Sequence, residues 1–171
     1  MTDRNETAAA RAYGKLLDAL ASLAMAISGV LMTTLIVIFS WLVFGRYVLN
    51  ATPTWVEQVS LLIVVWLAFV GAAVGVRRQG HLTVDFIREA MPVPVQKLLV
   101  IFSILAMCFF GAIMAWQGTV MWERTVQRDI PLLGISEGWR SVPVIIAGVL
   151  ITLFTLDQLR ITLLHPAPKD D

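Results

Sequence analysis

Few side chains in this sequence combine the chemistry and the setting that catalysis or transport at an apolar site requires. Glu57 is a carboxylate at the entrance of a long apolar stretch, three residues after Thr54, and Arg46 precedes it across a short connection. In a capping box with Thr54, Glu57 would bind backbone N–H groups at a helix start. It could instead pair with Arg46, or act directly in cation transport. The residue pattern leaves these three roles open.

A second group of charged side chains lies in the segment GVRRQGHLTVDFIREAMP. Arg77 and Arg78 directly follow an apolar run, where basic side chains contact anionic headgroups. Apolar residues of 83–91 share one helical face, which predicts a short amphipathic helix lying on the membrane surface. We interpret Arg77, Arg78, His81 and Asp85 as a cytoplasmic elbow that contacts membrane lipids, and a further role for His81 or Asp85 stays open.

Other kinds of site lack their characteristic residues in this sequence. His81 and His165 flank apolar runs, whereas ligation of haem in a helical bundle needs histidines within spans. Cys108 is the single cysteine, and the sequence contains no HExxH pair and no GxxxxGK[ST] phosphate loop. The net charge of +1 gives no indication of nucleic acid. We therefore expect a non-catalytic protein with no cofactor and no nucleic-acid partner.

Membrane-spanning helices must position these residues. Hydrophobic residues make up 58% of the 171-residue chain and charged residues 15%, and the mean hydropathy is +0.79. Because about 20 apolar residues cross a bilayer core, the sequence predicts an all-α integral membrane protein with four transmembrane helices. The predicted single membrane domain, 1–171, has its spans at 19–45, 55–76, 97–122 and 139–161 and an interfacial helix at 83–91 between the second and third.

The first and last spans carry further expectations. Basic residues precede the first apolar run, which is too long for a cleaved signal peptide, so we interpret it as an uncleaved signal anchor. The fourth uncharged run, 141–156, is marginal in length. It becomes adequate if the helix continues past Asp157 and Arg160, which can pair at a spacing of three residues.

The distribution of lysine and arginine predicts the orientation in the membrane. Basic residues are enriched in cytoplasmic loops, and they favour the side that carries both termini and the middle loop. That side has nine: Arg4, Arg11, Lys15, Arg77, Arg78, Arg88, Lys97, Arg160 and Lys169. The opposite side has Arg46, Arg124, Arg128 and Arg140, together with an aromatic belt of Trp41, Trp55, Trp122 and Trp139. Both termini are therefore predicted to be cytoplasmic.

Small residues inside the spans predict close helix packing. Gly71 and Gly75 form a GxxxG pattern in the second span, in which Trp66 also lies. The third span carries a similar track at Gly111, Ala115 and Gly118, with Trp116 beside it. These residues are candidates either for packing within the chain or for an interface with another subunit.

The order of several motifs along all four spans resembles one family of membrane proteins. The motifs are FGRYVLN, PTWVEQ, VWLAFVGAAVGVRRQGHLTVD and PLLGISEGWRSVP. Together they resemble the small, DctQ-like membrane subunit of tripartite ATP-independent periplasmic (TRAP) transporters. Gln58 follows Glu57 where many such subunits are expected to have a second acid.

The resemblance implies a place in a three-part importer of the bacterial inner membrane. A periplasmic substrate-binding protein would capture an organic acid, and a large multispanning subunit would import it with a sodium or proton gradient. The small subunit would brace the large one and contribute to the periplasmic docking surface, while substrate and cation sites would belong to the large subunit.

Two other functions remain as alternatives at this point. An independent four-helix transporter of the small multidrug type needs a membrane-embedded carboxylate, for which Glu57 is the candidate. An accessory scaffold subunit of another membrane complex would have the same packing surfaces and a different partner.

Overall fold

The computed structural model describes residues 2–51, 53–79, 93–130 and 133–164. These residues include four long helices. They are α1 (Thr2–Tyr47), α2 (Trp55–Gln79), α3 (Val93–Thr125) and α4 (Val142–Leu164), with a short 3₁₀ helix, Glu137–Arg140, before α4. The predicted interfacial helix, 83–91, lies outside the described residues.

Each of the four helices is long and apolar enough to cross a bilayer. The apolar segments are Tyr13–Tyr47, Trp55–Arg78, Leu98–Thr125 and Glu137–Leu163. The structure thus confirms the all-α prediction and its four membrane-spanning helices.

The helices extend beyond the predicted span limits, and α1 does so most. This helix starts at Thr2, although the predicted first span began at residue 19. At about 1.5 Å per residue its 46 residues cover about 69 Å, more than twice the thickness of a bilayer core. Charged residues mark the limit of the predicted span but do not end the helix, because alanine, glutamate and arginine in the first turns are good helix formers.

Hydroxyl groups on α1 are satisfied within the helix itself. The side chains of Ser28, Thr33, Thr34 and Ser40 each donate to the carbonyl oxygen four residues earlier, at 2.8 to 3.0 Å. A polar group that faces hydrocarbon needs such a partner. These side chains therefore do not require a neighbouring helix.

The helices pack in series, in the order α1, α2, α4, α3. Leu17 and Ala21 of α1 bury against Phe154 of α4 near one end, and Ala24 packs on Val70 and Val74 of α2. Between α2 and α4, Ala73 and Ala147 are fully buried together with Ile151. Helices α1 and α3 therefore form the two edges of the array.

The described residues between α3 and α4 form a small hairpin. Asp129 and Ser136 form an antiparallel bridge, and Gly134 at φ +64° supplies the turn. Ser136 Oγ donates to Val126 O at 2.6 Å and accepts from Gly138 N at 3.1 Å, which fixes the start of the 3₁₀ helix. The hairpin holds Arg140 in position just before α4.

Candidate functional site

Arg77 lies between three helices at the inner end of α2, the end that the sequence predicts to be cytoplasmic. Its Nη1 donates to Asp157 Oδ2 on α4 at 2.6 Å, and its Nη2 donates to Asp18 Oδ1 on α1 at 2.9 Å. The guanidinium carbon is 5.7 Å from the ring centre of Phe154, within the range of a cation–π contact. Arg77 thus connects α1, α2 and α4.

The two carboxylates around Arg77 differ in their environment. The side chain of Asp157 is 6% exposed, that of Arg77 is 18% exposed, and that of Asp18 is 68% exposed. A buried carboxylate needs a close counter-charge, whereas an exposed one is also solvated by water or headgroups. The contact with Asp157 is therefore the one on which the fold depends more.

These contacts correct two interpretations made from the sequence. Arg77 was interpreted as a lipid contact, and its guanidinium lies between carboxylates of the same chain. Asp157 was expected to pair with Arg160, and it pairs with Arg77, while Arg160 is exposed. Burial explains both corrections. Asp157 is buried facing α2, and a buried charge pairs with an opposite charge at the same depth in the membrane, which here is Arg77.

A second arginine connects α2 to the 3₁₀ helix before α4, at the end that the sequence predicts to be periplasmic, here called the outer end. Arg140 Nη2 donates to Gln58 Oε1 on α2 at 2.9 Å, and Nη1 makes a longer contact of 3.5 Å with Glu137 Oε1. The Nε of Arg140 is buried and has no acceptor within the described part of the chain. Gln58, the residue that occupies the place of an expected acid, is thus the partner of an arginine.

Sequence reasoning missed both arginine contacts, since the partners are 80 and 82 positions apart. A signal existed in the composition of the spans. Asp157 and Gln58 are polar residues at the margins of apolar runs, and each has an arginine at a matching depth on another span. A comparison of how far each polar residue lies from the end of its span would have suggested the pairs Arg77–Asp157 and Arg140–Gln58.

Arg46 and Glu57 are not brought together by the structure. Both side chains are exposed near the connection of α1 and α2. Among the described residues they form no ion pair with each other, and Glu57 makes no capping hydrogen bond with Thr54. The tight connection is instead held by backbone bonds, such as Ala51 N to Gly45 O at 3.0 Å.

The remaining elbow residues fall into two groups. Arg78 is exposed at the end of α2, beside the partly buried Arg77. His81 and Asp85 lie outside the described residues.

The small-residue track of α3 faces α4 at very short range. A methyl group added at Gly111 would lie 2.8 Å from Thr152 Oγ1, and one added at Gly118 would lie 2.7 Å from Ile145 Cγ1. On α4, a methyl group at Gly148 would lie 2.5 Å from the backbone nitrogen of Ala115. Glycine is required here because the two backbones approach each other.

The similar pattern on α2 has a different setting. A methyl group added at Gly71 or Gly75 would have no described atom within 4 Å. Trp66 packs against the cluster that joins α1 to α2.

On α3, Trp116 is 71% exposed and borders a shallow apolar groove between α3 and α4, together with Thr119 and Val149. The outer sides of α2 and α3 are thus open within this chain.

The four tryptophans of the predicted belt lie at the outer ends of the helices. Trp41, Trp55 and Trp139 are exposed. Trp122 is partly buried, because its ring covers Gly138 of the 3₁₀ helix.

A comparison with family models decides between the functions left open by the sequence. The family described as "Tripartite ATP-independent periplasmic transporters, DctQ component" matches residues 35–164, which include parts of all four helices and both arginine contacts. The chain belongs to the DctQ family.

Three curated relatives are small permease proteins of TRAP transporters. The sialic acid small permease SiaQ of Vibrio cholerae is 25% identical over 75% of this chain and 75% of its own length. The C4-dicarboxylate small permease DctQ of Pseudomonas aeruginosa is 25% identical over 71% of this chain and 60% of its own length. A putative small permease of Haemophilus influenzae is 22% identical over 67% of this chain and 71% of its own length.

Membership of the DctQ family has direct consequences. The chain is a transporter subunit and not an enzyme. The family implies a complex with a large permease and a substrate-binding protein. With its four apolar helices, the chain is a multi-pass protein of a bacterial inner membrane.

Proposed function

We propose that this chain braces the large permease of a TRAP-type secondary transporter that imports an organic acid with a sodium or proton gradient. In this role the small subunit widens the membrane footprint of the large one and contributes to the periplasmic docking surface for the binding protein. The substrates named for two relatives, sialic acid and C4-dicarboxylates, are both carboxylates. A carboxylate substrate is therefore the class that we assign to the complex.

The observation that carries the proposal is the serial arrangement of the helices. A chain that packs α1, α2, α4 and α3 in series leaves broad apolar sides uncovered. On α3 the exposed large side chains include Leu98, Phe102, Phe109 and Trp116. Lipid can cover such sides, and so can the helices of a larger subunit, which is the geometry that a brace needs.

The charges at membrane depth support a structural role. Arg77 and Asp157 neutralise each other and lie at the inner end of the array. A residue that carries protons or cations must change its charge or its partner during transport. We therefore place the substrate and cation sites in the large permease.

The outer surface offers a platform for the binding protein. Among its described residues, the hairpin before α4 exposes Arg128, Asp129, Ile135 and Trp139. Arg46 and Glu57 are exposed at the same end, so we assign them as candidate contacts of a partner. This assignment takes the outer end as periplasmic and both termini as cytoplasmic, following the bias of basic residues.

Reconstitution into proteoliposomes tests the proposed function. The chain alone should show no uptake of a carboxylate substrate under a sodium or proton gradient. Co-reconstitution with its large permease and loaded binding protein should give uptake, and omission of the small subunit should abolish it. Gradient-driven uptake by the small subunit alone would contradict the brace.

A further inference from the structure

Two arginines connect the same pair of helices, one near each end. Arg77 of α2 donates to Asp157 of α4, and Arg140, just before α4, donates to Gln58 of α2. Gln58 and Arg77 are 19 residues apart. At about 1.5 Å per residue the contacts lie about 28 Å apart along α2, close to the thickness of a hydrocarbon core. The seam between α2 and α4 thus has one polar contact near each membrane surface.

Each arginine also has a second acceptor on its own side of this seam. Asp18, the second acceptor of Arg77, lies on α1, which forms a helical hairpin with α2. Glu137, the second acceptor of Arg140, lies in the connection that joins α3 to α4. Each of these two arginines therefore has one hydrogen-bond acceptor across the seam and one within its own hairpin.

The middle of the seam is packed with apolar side chains. Ala73, Ala147 and Ile151 form a buried cluster there, and Phe69, Val76, Met114 and Leu150 pack against it. Alanine side chains allow close approach, and lipid does not drive apolar helices together as water does. The polar contacts at the two ends add directional bonds to this packing and so help to set the angle between α2 and α4.

We propose that the α1–α2 and α3–α4 hairpins are two bodies held at a fixed angle by two clamps. The inner clamp is Arg77 with Asp157, and the outer clamp is Arg140 with Gln58. Loss of one clamp loosens its own end while the other clamp stays closed, and at the inner end the packing of Leu17 and Ala21 on Phe154 limits the opening. This device is a property of the chain itself and goes beyond the proposed brace, because it operates whichever partner the chain supports.

Distance measurements between spin labels on the two hairpins test the clamps in the full-length chain. Cys108 is first replaced by alanine to remove the native thiol. Cysteines then replace Ser22 on α1 and Ser103 on α3 for an inner pair, or Ser40 on α1 and Gln117 on α3 for an outer pair. All four side chains are exposed. Distance distributions are recorded by pulsed electron paramagnetic resonance in lipid nanodiscs.

The second acceptors supply matched controls. Asp157→Asn weakens the contact across the seam at the inner end, and Asp18→Asn weakens the contact of the same arginine within its hairpin. Gln58→Leu and Glu137→Gln form the corresponding pair at the outer end. At each end, the clamp variant and its control change two acceptors of the same arginine. The two variants differ only in whether the weakened contact crosses the seam between α2 and α4.

We expect narrow distributions for the unmodified chain at both ends. Asp157→Asn should broaden the inner distribution and Gln58→Leu the outer one, while each control leaves both distributions narrow. Since hydrogen bonds to charged groups contribute about 1.5 to 3 kcal/mol, each released clamp should reduce the ratio of closed to open forms at its own end about tenfold or more.

Three results would overturn the clamps. One is that controls and clamp variants broaden alike, another is that no variant broadens, and the third is that one clamp variant broadens both ends equally. The outer pair tests the proposal even where Asp157→Asn lowers the yield of folded protein. None of these results depends on transport, so failure of the clamps is separable from failure of the brace.

Discussion

Helix α4 packs most extensively against α2 and α3, and it holds these two neighbours in different ways. Against α3 it uses glycine, so that the backbone of Ala115 lies where a methyl group on Gly148 would have to fit. Against α2 it uses alanine in the middle and an arginine contact near each end. The first seam depends on shape along its length, and the second depends on charge at two points. Changes of volume and changes of charge should therefore act on different seams.

The largest effect is expected from added volume in the glycine seam. In Gly148→Ala the new methyl group would lie 2.5 Å from a backbone nitrogen, so α3 and α4 must move apart. Overpacking of this kind costs about 3 kcal/mol at the upper end of its usual range. We expect a large fall in the thermal unfolding midpoint of the chain in detergent.

Gly75→Ala is the matched control for this prediction. Its methyl group would meet no described atom within 4 Å, and alanine is the better helix former by about 0.8 to 1 kcal/mol. Stability should be unchanged or slightly higher. Equal falls in the two variants would mean that the short contact does not decide the outcome.

Removal of one inner charge should have the next largest effect. Arg77→Met leaves the Asp157 carboxylate buried without its counter-charge. This typically costs about 3 kcal/mol or more in a protein interior, and we expect less here because the pair lies near the membrane surface. Adding Asp157→Leu should recover most of this loss, because no charge is then left buried. A double-mutant cycle on thermal unfolding measures the coupling.

Asp18→Asn provides the comparison for the inner charges, since Asp18 contacts the same arginine but is mostly exposed. Its effect should be small. A double variant that is less stable than Arg77→Met would show that the buried pair is not a matched unit.

A stronger outer contact should give a smaller gain. Gln58→Glu offers Arg140 a carboxylate in place of an amide oxygen at 2.9 Å. Since Arg140 is partly exposed, we expect stabilisation below about 1 kcal/mol that decreases as salt screens the pair. Thermal unfolding of the chain at low and high salt measures it, and a gain that does not respond to salt would exclude an ionic origin.

The smallest effect is expected at Arg46 and Glu57. Both are exposed and unpaired with each other in the structure, so Arg46→Glu and Glu57→Arg should act additively on the stability of the isolated chain. Co-purification with the large permease is the second measurement. Recovery of stability by the double variant in the isolated chain would show a direct pair that the structure does not form.

The sequence predicted the features that follow from apolar composition. Four uncharged runs gave four helices, because hydrocarbon imposes length and helicity on a spanning segment. Helix α1 starts well before the predicted span, since polar residues of high helix propensity continue a helix beyond the membrane. Composition alone does not distinguish the end of a span from the end of its helix.

Contacts between helices were less accessible to sequence reasoning. Asp157 was assigned to Arg160 because spacing along one helix reveals neighbours on that helix, and its partner is on another. The GxxxG pattern of Gly71 and Gly75 on α2 resembles the small-residue track of α3 in sequence. The α3 track lies close to the backbone of α4, whereas the α2 pattern has no described atom of another helix close to it. A small-residue motif allows two helices to approach closely, but the motif alone does not show whether another helix packs against it.

The order of the two inner charges along the chain has a consequence for biogenesis. Arg77 ends the second span that leaves the ribosome, and Asp157 arrives in the fourth. An aspartate at the centre of a helix resists transfer from the translocon into lipid by about 2.5 to 3.5 kcal/mol, and Asp157, nearer the end of its span, should resist it by less. When α4 emerges, its counter-ion is already in the membrane, whereas the hydroxyls of α1 need no later segment. We expect α1 to integrate as it is synthesised and α4 to integrate efficiently only after α2.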